Sequence, residues 1–137
     1  MARTPVISLR DPINVAEVID LYRANGWSAA DKPDDLMAAL RNSHALVTAR
    51  IGRRLVGIGN AISDGHLVVY YPHMLVHPDY QRAGVGRMMM QTLTENYAGM
   101  HQQMLTADEG AVRFYESLGF ERAGRTVPMW VYAGDEH

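Results

Sequence analysis

The stretch Val76-His77-Pro78-Asp79-Tyr80-Gln81-Arg82-Ala83-Gly84-Val85-Gly86-Arg87 decides how the rest of the chain is read. An apolar run leads into it and stops at Pro78, which cannot donate to a strand ladder. Beyond the two spaced glycines the period becomes helical, with Val85, Met88, Met89 and Leu93 forming a stripe. A strand therefore passes through a glycine turn into a helix. Successive N–H groups at such a helix start, together with the positive end of its dipole, can cradle a pyrophosphate, and glycine removes the Cβ that would block close approach. Arg82 and Arg87 add positive charge. The pattern is not a dinucleotide fingerprint, because Met89 stands at the third glycine position, and it lacks the Gly-Lys-Ser/Thr of a Walker A loop. On the residues alone, the turn is either an anion cradle or a helix start whose glycines serve packing.

Working outward, the preceding segments read as strands at His44 to Ile51, Leu55 to Ile62 and Leu67 to His77. Gly52-Arg53-Arg54 and Ser63-Asp64-Gly65 separate them, connections tight enough for an antiparallel meander. Before these come a short strand at Val6 to Leu9 and a helix opened by Asp11-Pro12, with Val15, Val18, Ile19 and Tyr22 as its stripe. A loop containing Trp27 follows, and a second helix starts near Pro33 with Leu36, Met37 and Leu40 buried. After the glycine-turn helix, Met104 to Ala107 reads as a strand, which a right-handed crossover would place parallel to Leu67–His77. Asp108 opens a last helix carrying Ala111, Phe114, Tyr115 and Leu118, Gly119 closes it, and a final strand runs over about Pro128 to Tyr132. The fold class is α/β with a mixed sheet: an antiparallel N-terminal meander and a parallel pair joined by a crossover helix.

Length and composition narrow the chemistry. With 137 residues the chain reads as one domain, 1–137, large enough to bury roughly two-thirds of its unfolded surface without a disulfide or metal staple. There is no cysteine, which excludes a disulfide framework, a thiolate metal site and a cysteine nucleophile. A net charge of −2, with no basic run longer than Arg53-Arg54, argues against nucleic acid or a membrane surface as partner. The N-terminus has no apolar signal segment, so a cytoplasmic location is expected. No His-x-x-x-His pair falls on an expected helix, and His73 and His77 in an extended strand would stand roughly 13 Å apart, so no metal is expected.

Gln81-Arg82-Ala83-Gly84-Val85-Gly86 resembles the Gln/Arg-x-x-Gly-x-Gly/Ala signature of the GNAT superfamily of N-acetyltransferases. Met74-Leu75-Val76-His77-Pro78 is similar to that family's leading strand, and Phe114-Tyr115-Glu116-Ser117-Leu118-Gly119-Phe120 to its Phe-Tyr-x-x-x-Gly-Phe helix end. Two motifs in order, 28 residues apart from Gly86 to Phe114 and set in the family's element order, make a specific joint signal over nearly the whole chain.

The resemblance implies direct transfer of acetyl from acetyl-CoA to a primary amine of a small molecule or peptide, through a ternary complex and without an acyl-enzyme. The pyrophosphate would lie on Gln81, Arg82, Ala83, Gly84, Val85, Gly86 and Arg87. Backbone groups of Leu75 and Val76 would hold the pantetheine and help polarise the thioester; a donor aimed at a developing oxyanion contributes roughly 2.7–4 kcal/mol in other enzymes. Tyr115 is carried over as acid for the departing thiolate. A phenol pKa of about 10 against about 8.5 for a thiol makes full proton transfer uphill by roughly 2 kcal/mol, so a hydrogen bond to the sulfur fits it better. Many relatives carry a cofactor-contacting asparagine where this chain has Asp108, which contacts the cofactor or caps the helix.

An amine with a pKa of about 10 arrives protonated, so a base or water chain must take its proton. Among His66, His73 and His77, His73 is the best placed candidate, in the strand that leads to the turn. His77 before Pro78, like His44, His101 and His137, reads as structural. Tyr22 and Trp27, with Asp31, Asp34 and Asp35, would wall an acceptor site in the family pattern, although acids in a first helical turn also serve the dipole. Met88-Met89-Met90 reads as packing. Two alternatives remain: a non-catalytic acyl-CoA-binding or sensing module, and a mononucleotide-binding domain. An exposed final strand would make a homodimer possible.

Overall fold

In the computed structural model, which describes residues 4–135, a six-stranded mixed sheet carries helices on both faces. The strands are β1 (Val6–Ser8), β2 (Ala45–Ile51), β3 (Arg54–Ser63), β4 (Val68–Tyr70), β5 (Met74–Val76) and β6 (Gln102–Met104). The helices are α1 (Val15–Ala24), α2 (Pro33–Arg41), α3 (Val85–Asn96) and α4 (Val112–Ser117). β1, β2 and β3 pair antiparallel, and β6 pairs parallel to β4 in the register Val68↔Gln102 and Tyr70↔Met104, as the crossover through α3 requires. Among the described residues no helix is long and apolar enough to cross a membrane.

The expected single strand Leu67–His77 is two strands on one edge of β3. Ile62 and Ser63 pair with Tyr70 and Val69, whereas Gly57, Ile58 and Gly59 pair with Val76, Leu75 and Met74. The physical cause of the break is Pro72, which has no N–H. Tyr71 still donates to the Met104 carbonyl at 3.0 Å, and the β3 ladder resumes only at Met74. Asn60 bridges the interruption. Its backbone N–H donates to the His73 carbonyl at 3.0 Å, its Oδ1 accepts from the His73 N–H at 3.0 Å, and its Nδ2 donates to Ser43 Oγ at 2.9 Å. Asn60 is buried, so these partners replace water that cannot reach it. β6 follows β4, and no described strand pairs with the other edge of β5, so the sheet opens beside it.

Two clusters hold the helices on the sheet. Val18, Leu21 and Tyr22 of α1 and Leu36, Met37 and Leu40 of α2 pack on Leu55, Ile58 and Leu75. On the opposite face, Val85, Met89, Met90 and Leu93 of α3 pack on Val47, Val56 and Val69, with Phe114, Tyr115 and Leu118 half-buried around them. Gly57 allows this approach, since a Cβ there would lie 2.5 Å from Met89 Sδ.

Two expectations need correction. The cap of α1 is Asn14, not Asp11: Asn14 Oδ1 accepts from the Glu17 N–H and Glu17 Oε2 from the Asn14 N–H, each at 3.0 Å. Asp11 is drawn instead to Arg50 Nε at 2.5 Å and Thr48 Oγ1 at 3.1 Å, and Arg50 also donates to both Glu17 oxygens at 2.8 Å. Val15 accordingly stays exposed, and Leu21 takes a core place. The second correction is Pro128–Tyr132, which forms no strand; Met129 and Trp130 are exposed, and the edge on which a homodimer was inferred does not exist there.

The hydrogen bonds from Arg50 hold the Glu17 carboxyl below its usual range, with burial opposing them. Stability from this group is full above the ordinary glutamate range and is lost as pH falls below that range, through the lowered folded-state value. Glu17→Gln should therefore cost about 1–3 kcal/mol at neutral pH in urea titration, with the gap to wild type closing on acidification. Asn60→Leu strands the His73 N–H and should cost about 2–4 kcal/mol by the same measurement.

Candidate active site

The turn between β5 and α3 is built by hydrogen bonds that leave its helix end open. The His77 N–H donates to the Val56 carbonyl at 2.8 Å, and His77 Nδ1 accepts from the Asp79 N–H at 3.1 Å, so His77 is structural. Gln81 Nε2 donates to the Val76 carbonyl at 3.0 Å and to Asn25 Oδ1 at 3.4 Å, pinning the turn to the ends of β5 and α1. Arg82 and Gly84 both take left-handed backbone, at φ 64° and 84°. For Arg82 this conformation costs on the order of 1 kcal/mol. Gly84 is the N-cap of α3, no side chain caps that end, and its first turn holds no acid. Its orphan N–H groups are therefore the partial positive charge that an anion would meet.

Packing around the glycines leaves the helix start open to an anion. A Cβ on Gly86 would stand 3.5 Å from Phe114 and 3.7 Å from Val76, ordinary contacts, and one on Gly84 would meet nothing within 4 Å. Internal packing does not demand glycine at 86, and the space before Gly84 is open. Ala83 is exposed on this turn. Leu75 is buried against α1, Val76 lies beneath Gly86, and Arg87 donates to Ser117 Oγ at 2.6 Å, which ties α3 to α4.

Beside β5 the opened sheet borders a cavity of about 1290 Å³, whose walls include Trp27, Asp31, His73, Asp108 and Tyr115. Three expected site residues meet at its inner end. His73 packs edge-on against Trp27, ring centres 5.2 Å apart, and its Nδ1 lies 2.7 Å from the Tyr22 hydroxyl. Tyr22 is fully buried and offers a ligand no surface, so it stands behind His73 and does not wall an acceptor site. Burial raises its pKa far above the ordinary phenol value. Asp34 and Asp35 occupy the exposed first turn of α2 and do not line the cavity; Asp31 does.

Tyr115 is half-buried on the opposite wall. Burial first, and the negative charge of Asp108 second, push its pKa upward, so it remains a phenol. Asp108, expected to cap the last helix, instead precedes a short 3₁₀ turn, Glu109–Ala111, and α4 starts only at Val112 with Ala111 as its N-cap. Asn60 is the positioning residue that sequence reading missed. Its signal is a lone amide in the apolar run Val56-Gly57-Ile58-Gly59-Asn60-Ala61-Ile62. His44, by contrast, is structural as expected, 2.7 Å from the Tyr97 hydroxyl.

A model of the GNAT acetyltransferase domain matches residues 20–129. The chain is 34% identical over 123 residues to the protein named "Uncharacterized N-acetyltransferase ycf52" of Gracilaria tenuistipitata var. liui, covering 83% of this chain and 65% of that protein. It is 31% identical over 129 residues to "Histone acetyltransferase TAP1" of Glycine max, covering 85% and 55%. The chain thus spans about two-thirds or less of the length of these relatives. Among solved structures, a GNAT-family acetyltransferase from Streptococcus pneumoniae TIGR4 superposes with a TM-score of 0.82 at 29% identity, covering 95% of this chain and 99% of that one. With the glycine turn, the opened sheet and the domain match in agreement, the chain belongs to the GNAT acetyltransferase family.

Proposed function

We propose that the protein transfers the acetyl group of acetyl-CoA to a primary amine within one ternary complex. The observation that carries this reading is the uncapped, acid-free start of α3 behind Gly84, at the end of a strand whose other edge opens on the cavity holding His73 and Tyr115. The residues suit an acyl-CoA: N–H groups for the pyrophosphate, a β5 edge that no described strand pairs with, although its Val76 carbonyl accepts from Gln81, for the amides of the pantetheine arm, and a cavity for the acceptor. In the reaction the amine nitrogen bonds to the carbonyl carbon, the C–S bond breaks, the nitrogen gives up a proton and CoA leaves with the sulfur electron pair. The chain has no cysteine to carry the acetyl group between the two. Tyr115, kept as a phenol, donates a hydrogen bond to the departing sulfur and need not surrender its proton.

The test is a thiol-release screen of acetyl-CoA against small primary amines and peptides with free N-termini. CoA release that requires both substrates supports the reading. Tight acetyl-CoA binding without release for any amine would overturn it in favour of an acyl-CoA-binding module. Gly84→Asp keeps an N-cap residue that tolerates left-handed backbone but sets a carboxylate where the pyrophosphate would sit. By calorimetry it should weaken acetyl-CoA binding at least about 100-fold, while the left-handed backbone at position 84 lowers the melting temperature by only about a few degrees. Tyr115→Phe should lower kcat by about 10- to 100-fold with little change in the acetyl-CoA KM, the effect of one lost bond to a charged group. Because the pKa of Tyr115 is raised, wild-type turnover should show no loss from its ionisation below about pH 10.

A further inference from the structure

Gln81 carries three N–H donors, one on the backbone and two on the side-chain amide. All three are committed within the protein. The backbone N–H donates to the Pro78 carbonyl at 3.4 Å, and Nε2 donates to the Val76 carbonyl at 3.0 Å and to Asn25 Oδ1 at 3.4 Å. The remaining polar atom of the side chain, Oε1, only accepts. An ionised phosphate is likewise an acceptor, so it gains nothing from this residue unless one of those bonds breaks, although Gln81 stands at the head of the glycine turn. The pyrophosphate is left to the N–H groups at the start of α3.

The two groups that the amide joins lie on opposite sides of the site. Val76 ends β5, the strand expected to hold the thioester, and Asn25 is the C-cap of α1. Asn25 Nδ2 donates to the Leu21 carbonyl at 3.0 Å, which leaves its Oδ1 turned to Gln81. From Asn25 the chain turns through Gly26 into Trp27, whose N–H donates back to the Tyr22 carbonyl at 3.1 Å, and Trp27, Ser28, Ala29 and Asp31 line the cavity. This loop is fastened to β5 at two points: the Trp27 ring lies on the His73 ring, 5.2 Å between centres, and Asn25 is held through Gln81 to Val76. Residues 73 and 76 are roughly 10 Å apart along an extended strand, so two points set the angle of the wall as well as its distance. With one of them removed, the wall pivots on the other.

We infer that Gln81 is a positioning residue for the acceptor and not a ligand of the pyrophosphate: its amide holds the α1–Trp27 wall at a fixed angle to the strand that carries the thioester. This rests on the acetyltransferase reading above and assigns a role within the same site. The amine must reach the carbonyl carbon along a defined line, and a wall free to pivot lets it bind off that line.

The test is Gln81→Leu, which removes the side-chain donors at an exposed position and leaves the core packing untouched. Calorimetry with acetyl-CoA should give a dissociation constant within about 3-fold of wild type. For an amine found in the thiol-release screen, kcat/KM should fall about 5- to 10-fold, mostly through KM, the effect of one lost hydrogen bond. Asn25→Leu should lose at least as much, and the double variant no more than about 2-fold beyond Asn25→Leu, because both changes cut one tie. A loss of acetyl-CoA affinity as large as the loss for the amine would make Gln81 a cofactor ligand and overturn the inference. Unchanged kinetics, or additive losses in the double variant, would do the same. Amide hydrogen exchange on the full chain gives a readout that needs no substrate: the Gly26 and Trp27 N–H groups should exchange about 3- to 10-fold faster in Gln81→Leu, with Met88 of α3 unchanged. Exchange at Trp27 equal to wild type would show that the tie holds nothing and overturn the inference. If no amine is turned over, the acetyltransferase reading fails and the acceptor role with it, and exchange alone then decides whether Gln81 fastens the loop.

Discussion

The structure depends on one interruption in hydrogen bonding, the missing N–H of Pro72. A strand from Leu67 to His77 would cover the edge of β3 without a break, and the ladder could not part there. Because Pro72 cannot donate, β4 and β5 become separate strands, and β6 joins only the first of them. A break of this kind exposes peptide groups in the interior, where each costs free energy unless paired. Asn60 supplies the pairing from both its backbone and its side chain, so the opening is held at one width and does not fray.

The chemistry of the site follows from that opening. β5 has an edge that no described strand pairs with, and the cavity lies against it. Charge is arranged by role. The α3 end has a partial positive field, with no acid in its first turn to neutralise it, whereas the cavity wall carries Asp31 and Asp108. Both tyrosines at the reaction end keep their protons: Tyr22 through burial, Tyr115 through burial and the charge of Asp108. Tyr22 therefore meets His73 as a neutral phenol, and Tyr115 has a proton with which to hydrogen-bond the leaving sulfur in the proposed reaction.

Much of this was legible in the chain. The stripe of α2, the glycine turn, the parallel pair across α3 and the packing of Met89 and Met90 are local periodicities that burial alone enforces. The start of α1 was legible too, in the pattern Asn14-x-x-Glu17, but Asp11-Pro12 offers an equally good local signal. Arg50, arriving from β2 across 39 positions of sequence, decides between them by taking Asp11 as its partner. Pro128–Tyr132 shows the opposite failure: a short apolar run reads as a strand, yet a strand needs a ladder partner, and no described strand pairs with this segment.

By itself, then, the sequence determined most of the element order, the glycine turn before α3 and the exclusion of a cysteine-bound intermediate. These depend on backbone conformation, spacing and residue type, which are local. Only the tertiary structure decided that Tyr22 lies behind His73 and not beside the acceptor, that Asn60 holds the break, and that Tyr115 stays protonated. Each of those depends on burial and on partners 13 to 51 residues away or across the cavity, and neither the dielectric around a side chain nor the identity of its buried partner is written in its own segment.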